Sequence, residues 1–309
     1  MYPENINKEN SKNFSAKFFY HLYQLIGLLL GARIFMTILL TFALYVSTFF
    51  LFNQMESLRS FVFDFKIHGI IFCTILTISA GGIINQFYDR EKDKITKPFR
   101  ARIQNFLRQK YFLYSYLILN LVSLTVAFFI SPRVFIFFLF YQFLMWFYSH
   151  KLAKILVFNN LTFVLLAVYP FFGMLVYYQT FSIKIFLMAI FLFLILLLMD
   201  ILKDQLTKKA DLLFQYHTFA TDFSPKWNQL IIFTFNIFNG IISILLVIKL
   251  GNTNVMGMYF LGSLVIHLLL LFLLFSGKNK PYYFSLNLIR IWVFVGILAM
   301  LIDGIITKY

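Results

Sequence analysis

Apolar residues run along this chain in long unbroken stretches, separated by short polar segments. A run of about 18 or more apolar residues predicts a membrane-crossing helix. Nine such spans are read, at roughly 24–51, 66–88, 111–130, 134–148, 158–178, 183–201, 229–249, 256–275 and 284–306. The fourth, "VFIFFLFYQFLMWFY", is short and aromatic. The expected fold class is an all-α membrane protein of nine transmembrane helices, as one polytopic domain over 1–309 with a polar N-terminal tail over 1–22. No linker or soluble domain is visible. The longest polar segments are about 89–110 and 200–228.

Composition supports this class. The chain is 61% hydrophobic and 13% charged, against about half and a quarter for a soluble domain. Its net charge of +15 does not predict nucleic acid as a partner; in a membrane protein it predicts basic loops facing anionic lipid. With the N-terminus placed in the cytoplasm, the tail and the loops after spans 2, 4, 6 and 8 hold 19 Lys and Arg, and the outer segments hold six. The positive-inside rule then gives an integral protein of the inner membrane, N-terminus cytoplasmic, with both long polar segments on the cytoplasmic side. The single Cys73 excludes an internal disulfide and any multi-cysteine metal site. No cleaved signal peptide is expected from the polar start.

Acidic residues are scarce, 12 in 309, and seven fall in the two long polar segments. In "INQFYDREKDKITKPFR", Asn85, Asp89 and Asp93 stand four apart, with Glu91 between. Such spacing lines one helix face over about 12 Å. In "LLLMDILKDQLTKKAD", Asp200 and Asp204 repeat it, followed by Asp211 and then Asp222. Carboxylates at a membrane boundary are costly unless compensated. Mg²⁺ takes oxygen ligands, commonly one or two carboxylates plus substrate phosphates. Two opposed acidic pairs can grip a diphosphate through such ions, and Lys97, Arg100 and Arg102 can neutralise its charge. The competing reading is a set of solvated ion pairs, as in "DREKDK"; recurrence of the spacing in two loops weighs against it.

These residues resemble the motifs of the UbiA superfamily of intramembrane prenyltransferases. Asn85, Asp89 and Asp93 match its first motif, N-x-x-x-D-x-x-x-D, and Asp200 and Asp204 match its second, D-x-x-x-D. "FYSHKLAK" is similar to the Tyr-Ser stretch before a basic pair, giving Tyr148, Ser149 and Lys154, and Arg33 resembles an arginine of the first span. The resemblance implies a ring of nine helices around a lipid-accessible cavity. It implies Mg²⁺ held by Asp89, Asp93, Asp200 and Asp204, which are also the catalytic residues. It implies a polyprenyl diphosphate bound with Asn85, Lys97, Arg100, Arg33, Tyr148 and Lys154. Ionisation gives an allylic cation that a lipophilic acceptor traps, with membrane lipid around. The aromatic content, 43 Phe and 18 Tyr, suits a cation, although most rings serve packing or face lipid.

The run D-R-E-x-D-x-I-x-K-P-x-R looks most like two branches. One makes ether lipids by prenylating geranylgeranylglyceryl phosphate, and the other esterifies chlorophyllide. The first is favoured, with a geranylgeranyl-like donor; Lys151, Lys154, Lys208 and Lys209 suit an anionic acceptor and equally suit lipid headgroups. The alternatives are a quinone-precursor aromatic prenyltransferase acting on dihydroxynaphthoate or 4-hydroxybenzoate, a scaffold, or a transporter. Transporters place charge near the midplane, where this chain has almost none. One departure stands out: no Gly follows Asp204, and Thr218 stands for the family's threonine after a longer spacing. The roles of Asp211 and His217 stay open. His68 and His267 are read as hydrogen-bonded structural residues, Asp303 as interfacial, Pro170 and Gly173 as bending span 5, and the sequon at Asn160 and Thr162 as silent.

Overall fold

The computed structural model describes residues 4–52, 57–105, 108–275 and 281–308, with side chains from Phe18 onward. Lys8, Lys12, Lys17, Lys278 and Lys280, which enter the charge argument above, lie outside the described side chains. The described residues are mostly helical, with no strand among them. In chain order the α-helices are α1 (Glu4–Gly31), α2 (Ile34–Ser47), α3 (Leu58–Val62), α4 (Phe65–Tyr88), α5 (Arg90–Thr96), α6 (Pro98–Gln104), α7 (Gln109–Ile130), α8 (Pro132–His150), α9 (Phe158–Tyr178), α10 (Ile183–Leu213), α11 (Phe219–Asp222), α12 (Pro225–Leu250), α13 (Val255–Phe275) and α14 (Pro281–Lys308). A π-helical turn, Thr48–Phe52, continues α2.

Among the described residues, eight stretches are long and apolar enough to cross a membrane: Ile34–Phe52, α4, α7, α9, α10, α12, α13 and α14. The fourth predicted span is the 19-residue α8, which is not one of those eight. The first span differs from its expected form. It is not one helix over 24–51, because helix breaks at Ala32–Arg33. Arg33 adopts the left-handed region, φ 52°, which interrupts a right-handed helix. Thr37 caps the break, its Oγ1 donating to the carbonyls of Ala32 and Arg33 at 3.1 and 3.4 Å. The polar tail is likewise helical from Glu4 onward.

Lipid-type exposure distinguishes these helices from those of a soluble protein. Phe129 is 81% exposed and Leu121 68% on α7. Large contiguous apolar surface of this kind needs a non-aqueous neighbour. The protein is an integral membrane protein.

The chain separates into two compact units, residues 1–39 with 72–142, and residues 40–71 with 143–309. In the first, Ala32, Ile83 and Phe112 form a core with Leu28, Tyr116 and Leu119 against it. α6 packs on α1, and α5 on α6. Gly82 is required by a close approach: a Cβ there would stand 2.8 Å from the Gly31 carbonyl oxygen, so α4 meets the end of α1 backbone to backbone. Cys73 is a buried core residue whose Sγ donates to the Ser123 carbonyl at 3.2 Å.

In the second unit α10 packs on α9, α12 and α14, and α13 joins α12 to α14. Ile195, Leu198, Ile201, Leu202, Ile232 and Ile289 form its centre. Some buried polar groups here are tied by hydrogen bonds, which a membrane interior favours. Asn236 Nδ2 donates to the His267 carbonyl at 3.1 Å, and His267 Nδ1 meets Asn236 Oδ1 at 2.8 Å. His68 lies between Tyr45 Oη and the Val62 carbonyl, at 3.1 and 3.0 Å. Both histidines are therefore structural, as their isolation in the sequence suggests. Asp303 accepts the Met256 amide at 3.1 Å, at the start of α13.

Candidate active site

The first acidic cluster lies in the first unit, where α4 passes into α5 and α6. The backbone keeps a four-residue ladder across both junctions. Asp89 N bonds Asn85 O at 2.9 Å, Asp93 N bonds Asp89 O at 2.8 Å, Lys97 N bonds Asp93 O at 2.8 Å, and Ala101 N bonds Lys97 O at 3.0 Å. That ladder is why Asn85, Asp89, Asp93 and Lys97 stay on one face although α4 ends at Tyr88. Asn85 Nδ2 donates to Asp89 Oδ2 at 3.0 Å. Asp93 is buried and takes Lys97 Nζ on Oδ1 at 2.8 Å, with Thr96 Oγ1 at 3.4 Å.

Positive charge is in excess here. Arg33, Lys97 and Arg100 act on one another electrostatically, with Asp93 the carboxylate that answers them. Burial lowers the Lys97 pKa, Asp93 works against that, and Arg33 and Arg100 add to it; 44% of the Lys97 side chain remains open to the surface. Burial and then Arg33 lower Arg100, opposed by Asp93. Three cations held near one another at such a cost prepare a place for a multivalent anion. Arg100 Nη2 is steadied by Gln86 Oε1 at 3.3 Å.

The second cluster lies in the second unit. Asp200, Asp204 and Asp211 are 3%, 3% and 0% exposed on α10. With Thr207 they fall at helical spacings of four, three and four, so one stripe of α10 is polar. Lys203 Nζ meets Asp200 Oδ1 at 2.6 Å and lies over the Phe163 ring at 5.1 Å. Thr207 Oγ1 donates to Asp211 Oδ2 at 2.7 Å. Asn160, fully buried near the start of α9, donates Nδ2 to Asp200 Oδ2 at 2.9 Å and to Asp204 Oδ2 at 2.7 Å. One lysine thus faces two buried carboxylates, which leaves negative charge for a cation to balance.

The remaining predicted residues go elsewhere in the second unit. Tyr148 Oη donates to Asn159 Oδ1 at 3.1 Å. Lys154 lies in a 3₁₀ turn with Nζ 5.2 Å over the Tyr216 ring. Thr218, read as the family's threonine, is the N-cap of α11, closing a capping box with Thr221. His217 meets exposed Asp222 at 3.0 Å. Sequence reasoning missed Asn160, Lys203 and Gln86. The signal for Asn160 was an amide at the mouth of an apolar run; its sequon is silent because the side chain is fully buried.

The donor sets fit Mg²⁺. Among the described residues no group of three or more His, Cys, Asp or Glu makes a complete protein cage. Carboxylate oxygens in pairs, with ligand positions left for phosphate and water, are the set a hard divalent ion uses.

Comparison with known proteins shows the family and the fold. The model of the UbiA prenyltransferase family matches residues 58–295. A digeranylgeranylglyceryl phosphate synthase from Methanosphaera stadtmanae is 31% identical over 176 residues, 56% of this chain. The match spans 64% of that relative's length. Among solved structures, one that gives insight into digeranylgeranylglyceryl phosphate synthase in membranes superposes with a TM-score of 0.67 at 17% identity, over 91% of this chain and 99% of that one. A UbiA homolog from Archaeoglobus fulgidus bound to GPP and Mg²⁺ gives 0.62 at 15% identity, over 89% and 99%. A UbiA homolog from Aeropyrum pernix K1 without ligand gives 0.64 at 14% identity, over 85% and 96%. With the family model matched over most of its length, the chain belongs to the UbiA prenyltransferase family.

Proposed function

We propose that this chain is an Mg²⁺-dependent intramembrane prenyltransferase. It moves a geranylgeranyl-like group from its diphosphate to a lipophilic, phosphate-bearing acceptor such as geranylgeranylglyceryl phosphate. The observation that carries this reading is the presence in one apolar chain of two different clusters, one rich in cations around Asp93 and one rich in buried carboxylates around Asp200. The similarity to a digeranylgeranylglyceryl phosphate synthase supports the acceptor.

Asp89 and Asp93, with Asn85, would hold one ion, and Asp200 and Asp204 another; Mg²⁺ bound there supplies Lewis-acid neutralisation of the diphosphate. Lys97, Arg100 and Arg33 donate hydrogen bonds to diphosphate oxygens and favour its departure. Tyr148 and Lys154 are assigned to the diphosphate end as well. The C1–O bond of the donor breaks, the pair of electrons leaves with diphosphate, and the allylic carbon becomes cationic. An acceptor hydroxyl oxygen attacks it, its proton passes to solvent or a base, and a C–O ether bond forms. The apolar helices exclude water, which would otherwise hydrolyse the cation.

The N-terminus and both clusters are assigned to the cytoplasmic side of the inner membrane, on the balance of 19 basic residues to six.

The test is a transfer assay with protein in detergent, radiolabelled geranylgeranyl diphosphate and Mg²⁺. Parallel acceptors are geranylgeranylglyceryl phosphate, dihydroxynaphthoate and 4-hydroxybenzoate. An EDTA-sensitive labelled product with the first acceptor is expected. Product with an aromatic acceptor alone would move the chain to the quinone branch, and no Mg²⁺-dependent product or donor retention would overturn the enzyme.

A further inference from the structure

We propose that Asn160 is a positioning residue for the second acidic pair, orienting both carboxylates for a divalent cation without neutralising them. This rests on the proposed function, since it concerns how the site takes its metal.

Two hydrogens of one amide nitrogen are shared between two acids: Asn160 Nδ2 lies 2.9 Å from Asp200 Oδ2 and 2.7 Å from Asp204 Oδ2. Asn160 is fully buried, and the two aspartates nearly so. Asp200 has a second hold, from Lys203 on Oδ1 at 2.6 Å. Asp204 has the amide. The acids belong to α10 and the amide to α9, so the grip also ties the two helices at the site.

The choice of side chain is informative. A lysine or arginine at this place would supply the same donors and cancel one negative charge, leaving less for a metal. An asparagine amide fixes direction and keeps the charge. Its own carbonyl supplies the second observation: Asn160 Oδ1 is buried with no hydrogen-bond partner. Buried acceptors are normally satisfied, so the side chain is held where its donor face is served and its acceptor face is not. That imbalance fits a residue kept for the carboxylates rather than for packing. Donors that orient metal-binding carboxylates act in this way in metal sites generally, and their loss costs about 10–100-fold in metal affinity.

The test uses full-length protein in lipid nanodiscs, with Mn²⁺ as the probe and inorganic diphosphate at fixed concentration. Bound and free Mn²⁺ are read by electron paramagnetic resonance. Asn160→Ala is expected to weaken Mn²⁺ by about 10–100-fold, and Asn160→Ser, which keeps one donor, by less. The Mg²⁺ concentration for half-maximal transfer should rise in the same order. An Asn160→Ala protein that melts lower in EDTA but holds Mn²⁺ as tightly as wild type would overturn the proposal and leave a packing role. If that variant does not fold, Asn160→Ser decides, and wild-type Mn²⁺ affinity there overturns the need for two donors. Wild-type protein that holds no Mn²⁺ would instead overturn the functional reading beneath it.

Discussion

The two acidic clusters share a four-residue spacing and little else. Around Asp89 and Asp93 the chain has just left an apolar helix, the acids are partly open or paired, and Arg33, Lys97 and Arg100 surround them with positive charge. Around Asp200 and Asp204 the helix runs on, the acids are buried, and one lysine and one amide answer them. The first place is short of negative charge and the second of positive. A metal–diphosphate complex carries both, and an enzyme that cleaves a diphosphate needs both kinds of place. Similar spacing in sequence therefore hides different partners, a difference that the proposed division of labour would use.

The largest break in this comparison comes from removing an acid. Asp89→Ala and Asp200→Ala are each expected to lower turnover by at least about 10²–10³-fold, the scale for losing a main electrostatic contact at a reacting centre. Circular dichroism should stay helical, and normal activity in either variant would remove that residue from the site. Next, Lys97→Ala or Arg100→Ala should raise the donor KM by roughly 10–100-fold, since a hydrogen bond to a charged group is worth about 1.5–3 kcal/mol. The matching change at Lys203 should act on metal dependence instead, which a titration of rate against Mg²⁺ at saturating donor would separate.

A smaller effect follows from pH. The Lys97 pKa is lowered in the free protein, and a bound anion would raise it again. Donor affinity should therefore fall as pH rises through the lowered value, and Lys97→Arg should flatten the profile. For stability the sign is opposite: the unfolded chain binds this proton more readily, so the group's contribution is gained as pH rises through the folded pKa. The smallest effect belongs to Glu91. Its pair with Lys94, at 2.7 Å, is half open to the surface on both sides. Exposed pairs contribute about 0–1 kcal/mol, so Glu91→Gln should leave KM and kcat within about twofold. A large effect there would extend the site to an acid the structure leaves at the surface.

Much of this was legible in the sequence because it depends on local spacing. The apolar runs predict the helices, and the four-residue spacing survives two helix junctions because the backbone ladder is unbroken from Asn85 to Ala101. The break at Arg33 was not legible: no Pro or Gly stands at Arg33, and the close approach of Gly82 to the Gly31 carbonyl beside it joins residues about 50 apart in sequence. Asn160 was overlooked as a site residue because its contacts are also distant in sequence. Its partners are 40 and 44 residues downstream, and no local pattern announces them. Thr218 was read through a motif, whereas its hydroxyl is committed to capping α11.

The central claim, that the carboxylates of α10 serve the metal and the cations beside Asp93 serve the diphosphate, is tested most directly by donor retention. Radiolabelled geranylgeranyl diphosphate would be titrated onto nanodisc-embedded wild type, Asp200→Ala and Arg100→Ala, across a range of Mg²⁺ concentrations without acceptor. The account predicts that Asp200→Ala loses the Mg²⁺-dependent part of retention, while Arg100→Ala binds more weakly at every Mg²⁺ concentration. Wild-type retention that ignores Mg²⁺, or identical behaviour of the two variants, would contradict it.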